Sequence, residues 1–163
     1  MNNRTEAWQA AYRWLCQRRR HAPPNADIWH LRFHWAQQGE RLWRQLQNGR
    51  YRLEPMQVLR RGARSWVQWC APDALILKWA ALLAEPLLPK PARCLHLRGH
   101  GGSAASVAVA VAVAEVRAAL ADGEYTFVYR TDIRGYYRHI REQQVINQLK
   151  WQVTDPVLFD VKQ

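Results

Sequence analysis

Tyr125-Thr-Phe-Val-Tyr-Arg-Thr-Asp-Ile-Arg-Gly-Tyr-Tyr-Arg-His-Ile140 is the stretch that most restricts what this chain can fold into. Its first half is aromatic and β-branched, with Tyr125, Phe127 and Tyr129 on one face and Thr126 and Val128 on the other, which predicts a strand. The stretch has a single acid, Asp132, which arrives where the strand gives way to a turn around Gly135. A carboxylate at a strand end either caps the following turn or reaches into a cleft as a metal ligand.

The charge balance bears on partners. Lys and Arg number 24 against 13 Asp and Glu, a net charge of +11, and the sequence pI is about 10.3. That points to a polyanionic partner, nucleic acid before an acidic membrane. Nine Trp accompany the arginines, a pairing suited to base stacking and phosphate contact, although Trp also builds cores. A hydrophobic fraction of 48% over 163 residues fills one domain or parts of two. Cys16, Cys70 and Cys94 are too scattered for a metal site or a disulfide framework, so reduced thiols and a cytoplasmic location are expected. The polar N-terminus is no signal peptide, and the apolar run 104–114 is too short to cross a bilayer.

Taken in order, residues 5–20 read as a helix with Trp8, Tyr12 and Leu15 on one stripe, ending in Arg18-Arg19-Arg20. That cluster either touches phosphate or complements the helix dipole. After Pro23-Pro24, Asp27 is expected to cap a second helix carrying Ile28, Leu31 and Trp35 on one face. His30 and His34 are four apart, but lack a third ligand nearby. Gly39 is expected to interrupt the pattern, with a further helix through Leu42, Trp43 and Leu46 stopping at Asn48-Gly49. Runs 56–59 and 66–69 around Arg60-Arg-Gly-Ala-Arg-Ser65 predict a hairpin with a basic tip. Asp73 is expected to cap an apolar helix reaching Glu85, with Pro86, Pro89 and Pro91 beyond it. A glycine-rich loop, His96 to Ser103, contains Arg98, Gly99 and Gly101 and suits close approach to phosphate. Val and Ala alternate over 106–114, yet the alanines and the Asp122-Gly123 stop favour a helix over 103–121. A last helix, 141–151, is expected to turn Val145, Ile146 and Leu149 inward.

Several of these pieces stand in one order. They are Leu42-Trp-Arg-Gln-Leu-Gln-Asn-Gly-Arg-Tyr51 with Pro55, the basic hairpin, Ala71-Pro-Asp-Ala with Leu82 to Pro86, the Arg98 loop, and Arg130-Thr-Asp-Ile-Arg-Gly-Tyr-Tyr137 with Ile140. In that order the chain resembles bacterial reverse transcriptases of the group II intron and retron-like kind, over roughly residues 26–160. The resemblance implies an α+β fold: right-hand polymerase fingers, mostly helical with a β-hairpin, plus the first strand and helix of a palm. Residues 1–25 would be a basic helical arm, 26–121 the fingers-like region, and 122–163 the start of a palm, cut short before the Tyr-x-Asp-Asp hairpin.

It also implies functional residues. Asp132 would bind two Mg²⁺ ions, assisted by the backbone carbonyl of Ile133, with Gly135 and Tyr136 meeting the incoming deoxynucleotide triphosphate. Tyr137 stands at the steric gate against a ribose 2′-hydroxyl. Arg60, Arg61 and Arg64 would hold template or triphosphate, and Arg18, Arg19, Arg20, Arg98, Gly99 and Gly101 nucleic acid. The implied partners are an RNA template, a DNA primer and deoxynucleotide triphosphates, with no membrane. The chain departs from the family in lacking Tyr-x-Asp-Asp or any Asp-Asp pair, and in carrying Ser65-Trp66-Val67 where the family has Arg-Pro-Leu. Inactivity of the chain alone is therefore expected. The alternatives are a non-catalytic nucleic-acid-binding module, or a fragment complemented by a separate palm and thumb chain that covers the open sheet.

Overall fold

Apolar residues three and four places apart wind Asn3–Arg18 into α1, and the computed structural model buries its Ala7, Trp8, Ala11 and Leu15. The structure describes residues 3–89, 105–123, 125, 127, 129, 131–132 and 134–155. These fall into two compact units, Met1–Leu88 with Leu149–Gln163, and Pro89–Gln148.

The first unit continues through α2 (Asp27–Phe33), α3 (Trp35–Gln47), the hairpin strands β1 (Gln57–Arg61) and β2 (Arg64–Gln68), and α4 (Ala71–Ala84). Helix α4 is the centre of its core: Leu75, Ile76 and Trp79 are wholly buried. The Trp79 ring meets Trp8 and Trp43 edge-on, with centroids 6.5 and 5.8 Å away. Its indole N–H donates to the Arg4 carbonyl at 3.0 Å. A buried indole of this size contributes roughly 4–6 kcal/mol of gross transfer free energy, and the hydrogen bond removes the cost of hiding its polar edge. Pro86 closes α4 through a single 3₁₀ turn, Glu85–Leu87.

Three expectations change here. The helical pattern breaks at His34 and not at Gly39, which lies buried inside α3. A Cβ at Gly39 would stand 3.1 Å from the Trp35 indole, and Trp35 itself stacks on Tyr12 with centroids 3.6 Å apart. Glycine is there for close packing, and packing outweighs its poor helix propensity. Asp27 does not cap α2, whose N-cap is Ala26; its carboxylate turns to Arg19 and to the Ala71 N–H. Nor does Asp73 cap α4: it is wholly buried and accepts hydrogen bonds from segment 51–54.

Asn48-Gly49 ends α3 as expected, with Gly49 at φ 62°. The hairpin forms as well, but more tightly than expected. Its register pairs Val58 with Val67, Leu59 with Trp66, and Arg61 with Arg64, leaving a two-residue turn at Gly62-Ala63. Gly62 takes φ 59°, the left-handed region that such a turn requires.

In the second unit, α5 (Ala105–Ala121) is helical despite its period-two lettering. Alanine has the highest helix propensity, and valine costs little beside it. Helix α6 (Tyr136–His139) follows, and α7 (Glu142–Gln152) begins in the second unit and ends in the first, which resumes at Leu149. Among the described residues the sheet is the β1–β2 hairpin alone, and Tyr125, Phe127 and Tyr129 take no part in it. They are 57–89% exposed, so the period-two pattern there is not matched by a ladder. The α7 expectation is also corrected: Val145 is exposed, and Ile146 and Leu149 are only half-buried. Val153 is the residue buried just beyond it, beside the ion pair of Arg4 with Asp155.

Candidate functional site

The hairpin carries arginines at its tip and is fixed at both roots. Arg60 and Arg64 are exposed, which suits contact with a large polyanion. Arg61 lies in β1 opposite Arg64, with its side chain outside the described residues. At the entering root, Asp73 accepts from the Tyr51 hydroxyl at 2.6 Å and from the Glu54 N–H at 2.9 Å. Burial, with the Asp73 hydrogen bond second, pushes the Tyr51 phenol well above its usual range. At the leaving root, Arg19 donates to Asp27 at 3.0 Å and to the Trp69 carbonyl at 2.6 Å. The other Asp27 oxygen accepts from the Ala71 N–H, the first residue of α4. Two carboxylates thus fasten the hairpin to the core. Beside them, burial pushes the Cys70 thiol up to about 12.

The three arginines at the end of α1 therefore differ. Arg18 and Arg20 are exposed, and Arg20 donates to His21 at 2.9 Å. Arg19 is half-buried and engaged as a strut. A cleft of about 500 Å³ opens between this end of α1 and one face of the hairpin, with Arg18 and His21 on one side and Gln57, Leu59, Trp66 and Gln68 on the other. Leu59 faces Trp66 and Gln57 faces Gln68 in the strand register, so one hairpin face supplies an apolar platform and two amides. The sequence reading did not single out His21, Gln57, Trp66 or Gln68. The alternation of the two strands held the signal, because residues two apart share a face.

Asp132 is exposed, and Gly135 follows it at φ 67° as the N-cap of α6. A Cβ at Gly135 meets nothing closer than 3.6 Å, so the backbone angle and not space calls for glycine. Tyr136 and Tyr137 form the first turn of α6, their side chains outside the described residues. Ile133, Arg98, Gly99 and Gly101 lie outside the described residues altogether. Asp132, Gly135, Tyr136 and Tyr137 belong to the second unit; the arginines of α1 and the hairpin belong to the first. No described helix is long and apolar enough to cross a membrane. No family model, curated protein or solved structure matches the chain.

Proposed function

We propose that this chain supplies the fingers and the first palm carboxylate of an RNA-directed DNA polymerase of the group II intron and retron-like kind. The observation that carries it is the hairpin, held at its roots by a buried and a part-buried hydrogen bond and offering Arg60 and Arg64 to solvent, with a cleft against one of its faces. A rigid root with exposed guanidiniums suits the grip on a template backbone or a triphosphate. Downstream, Asp132 stands three residues before a left-handed glycine, an exposed hard-oxygen donor of the type Mg²⁺ prefers. Two Mg²⁺ ions, when bound, activate the primer 3′-hydroxyl and stabilise the leaving pyrophosphate. Asp132 is one ligand of such a site, and the remaining carboxylates come from outside these 163 residues, which contain no Tyr-x-Asp-Asp. The chain alone binds RNA template and DNA primer without extending them. A cytoplasmic location goes with this reading.

Primer extension on an RNA template with Mg²⁺ tests it. The expected result is no incorporation by the chain alone and incorporation when a palm and thumb polypeptide of the same family is added, lost again with Asp132→Ala. Incorporation that survives Asp132→Ala would remove that residue from the metal site.

The second reading, a non-catalytic nucleic-acid-binding module, is favoured by the +11 charge. It predicts the same salt-dependent binding and no rescue by any added chain.

A further inference from the structure

A second basic surface lies on the first unit and shares no lining residue with the cleft at the hairpin. Helix α3 buries Gly39, Leu42 and Leu46 and turns a different stripe outward. Gln37, Arg41, Arg44, Gln45 and Asn48, with Arg50 from the turn beyond, line a cleft of about 330 Å³. The cleft has three guanidiniums, three amides and no acid in its lining. Glu40 reaches Arg44 across one helical turn, an exposed pair that water screens and an incoming phosphate can displace.

This cleft is joined by contacts to an aromatic surface on α2. Arg41 donates to Gln38 at 2.7 Å, and Gln38 meets the His30 ring nitrogen at 3.2 Å. The His30 ring lies 4.5 Å from His34, whose ring is met edge-on by Phe33 at 4.8 Å. Phe33 is 85% exposed, a large apolar ring kept in water where α2 ends. A core does not explain it, and a single ring is too small for an apolar docking face.

We propose that this surface is a track for single-stranded nucleic acid, with a base stacked on Phe33 and the phosphates along Arg41, Arg44 and Arg50. Stacking accepts any base, because each has a π face, and guanidiniums follow the backbone. A duplex keeps its bases stacked inside and offers Phe33 nothing, so the exposed ring selects an unpaired strand. Helix α3, 13 residues long, spans roughly 18 Å, enough for a few nucleotides. The proposal rests on the nucleic-acid part of the reading above but not on polymerase chemistry.

Fluorescence anisotropy on the full chain, with labelled single-stranded oligouridylate and a duplex of equal length, tests it. Phe33→Ala is expected to weaken single-strand binding about tenfold and to leave duplex binding unchanged. Phe33→Trp restores it. R41Q/R44Q/R50Q weakens single-strand binding and reduces the salt slope by up to about 2. All these positions are on the surface, and circular dichroism verifies that each variant folds. Loss with Arg60→Gln and Arg64→Gln but none with the α3 or Phe33 variants would overturn the track and leave the hairpin reading intact. Loss with the α3 and Phe33 variants, without rescue of polymerisation by any added chain, would support the track and remove the polymerase. Equal binding of the wild type and the α3 variant to anionic vesicles and oligouridylate would also overturn it.

Discussion

The two units use apolar residues in opposite ways. In the first, α1 and α2 pack against α4, and Leu75, Ile76 and Trp79 lose all contact with water. In the second, α5 is mostly Val and Ala, and Val111, Val113, Val116 and Leu120 remain 39–46% exposed. Helix α5 has no buried residue among those described. Helix α4 is as apolar around its circumference as α5, and what sets it apart is that α1 and α2 pack against it. Apolar content alone therefore does not make a core. Packed neighbours do.

The largest expected effect tests that contrast directly. Trp79→Ala should cost about 3–5 kcal/mol in urea denaturation, because it empties the centre of the first unit. Val113→Ala should cost under about 0.5 kcal/mol, since it removes only exposed methyl groups. Similar losses at the two positions would break the comparison. Tyr51→Phe should cost about 1–3 kcal/mol by leaving the buried Asp73 carboxylate short of a donor. Amide exchange at Glu54 should quicken in that variant, reporting a loosened hairpin root; unchanged exchange would mean that Asp73 does not fix the hairpin.

A pH dependence is expected in the first unit as well. Folding holds the proton on Cys70 up to about 12, whereas an unfolded thiol releases it near 9.0. Burial first, and the Cys16 contact second, likewise raise Tyr12 from 10.0 to about 12. An unfolded chain thus sheds protons that the folded chain keeps. Stability contributed by these groups is complete below pH 9 and falls as pH climbs towards 12. Melting temperature should drop between pH 9 and 11, and Cys70→Ala should flatten the early part of that drop. A melting temperature that rises with pH would reverse the assignment.

Much of the fold was legible because it depends on local spacing. The α1 stripe, the Asn48-Gly49 stop, the 57–68 hairpin and helix α5 all follow from periodicity, propensity and turn chemistry acting over a few residues. The errors share a cause. Asp27 and Asp73 each have the sequence signature of a helix cap, and each spends its carboxylate on distant backbone, 44 and 19 residues away. Gly39 has the signature of a helix breaker and serves as the seat of an indole. For the two aspartates a long-range partner outbids the local role; for Gly39 the partner is Trp35, one helical turn away.

The candidate site divides in the same way. Asp132 ahead of Gly135, and arginines at a hairpin tip, are features that the sequence determined by itself, since turn geometry and charge need no distant partner. The tertiary structure alone decided that Arg19 is a strut while Arg18 stays exposed, both on one wall of a cleft. It also placed Gln57, Leu59, Trp66 and Gln68 on the opposite wall. A side chain's role depends on which groups compete for its hydrogen bonds. For Arg19 those groups are Asp27 and a carbonyl 50 residues away, brought within reach only when α4 packs against α1 and α2.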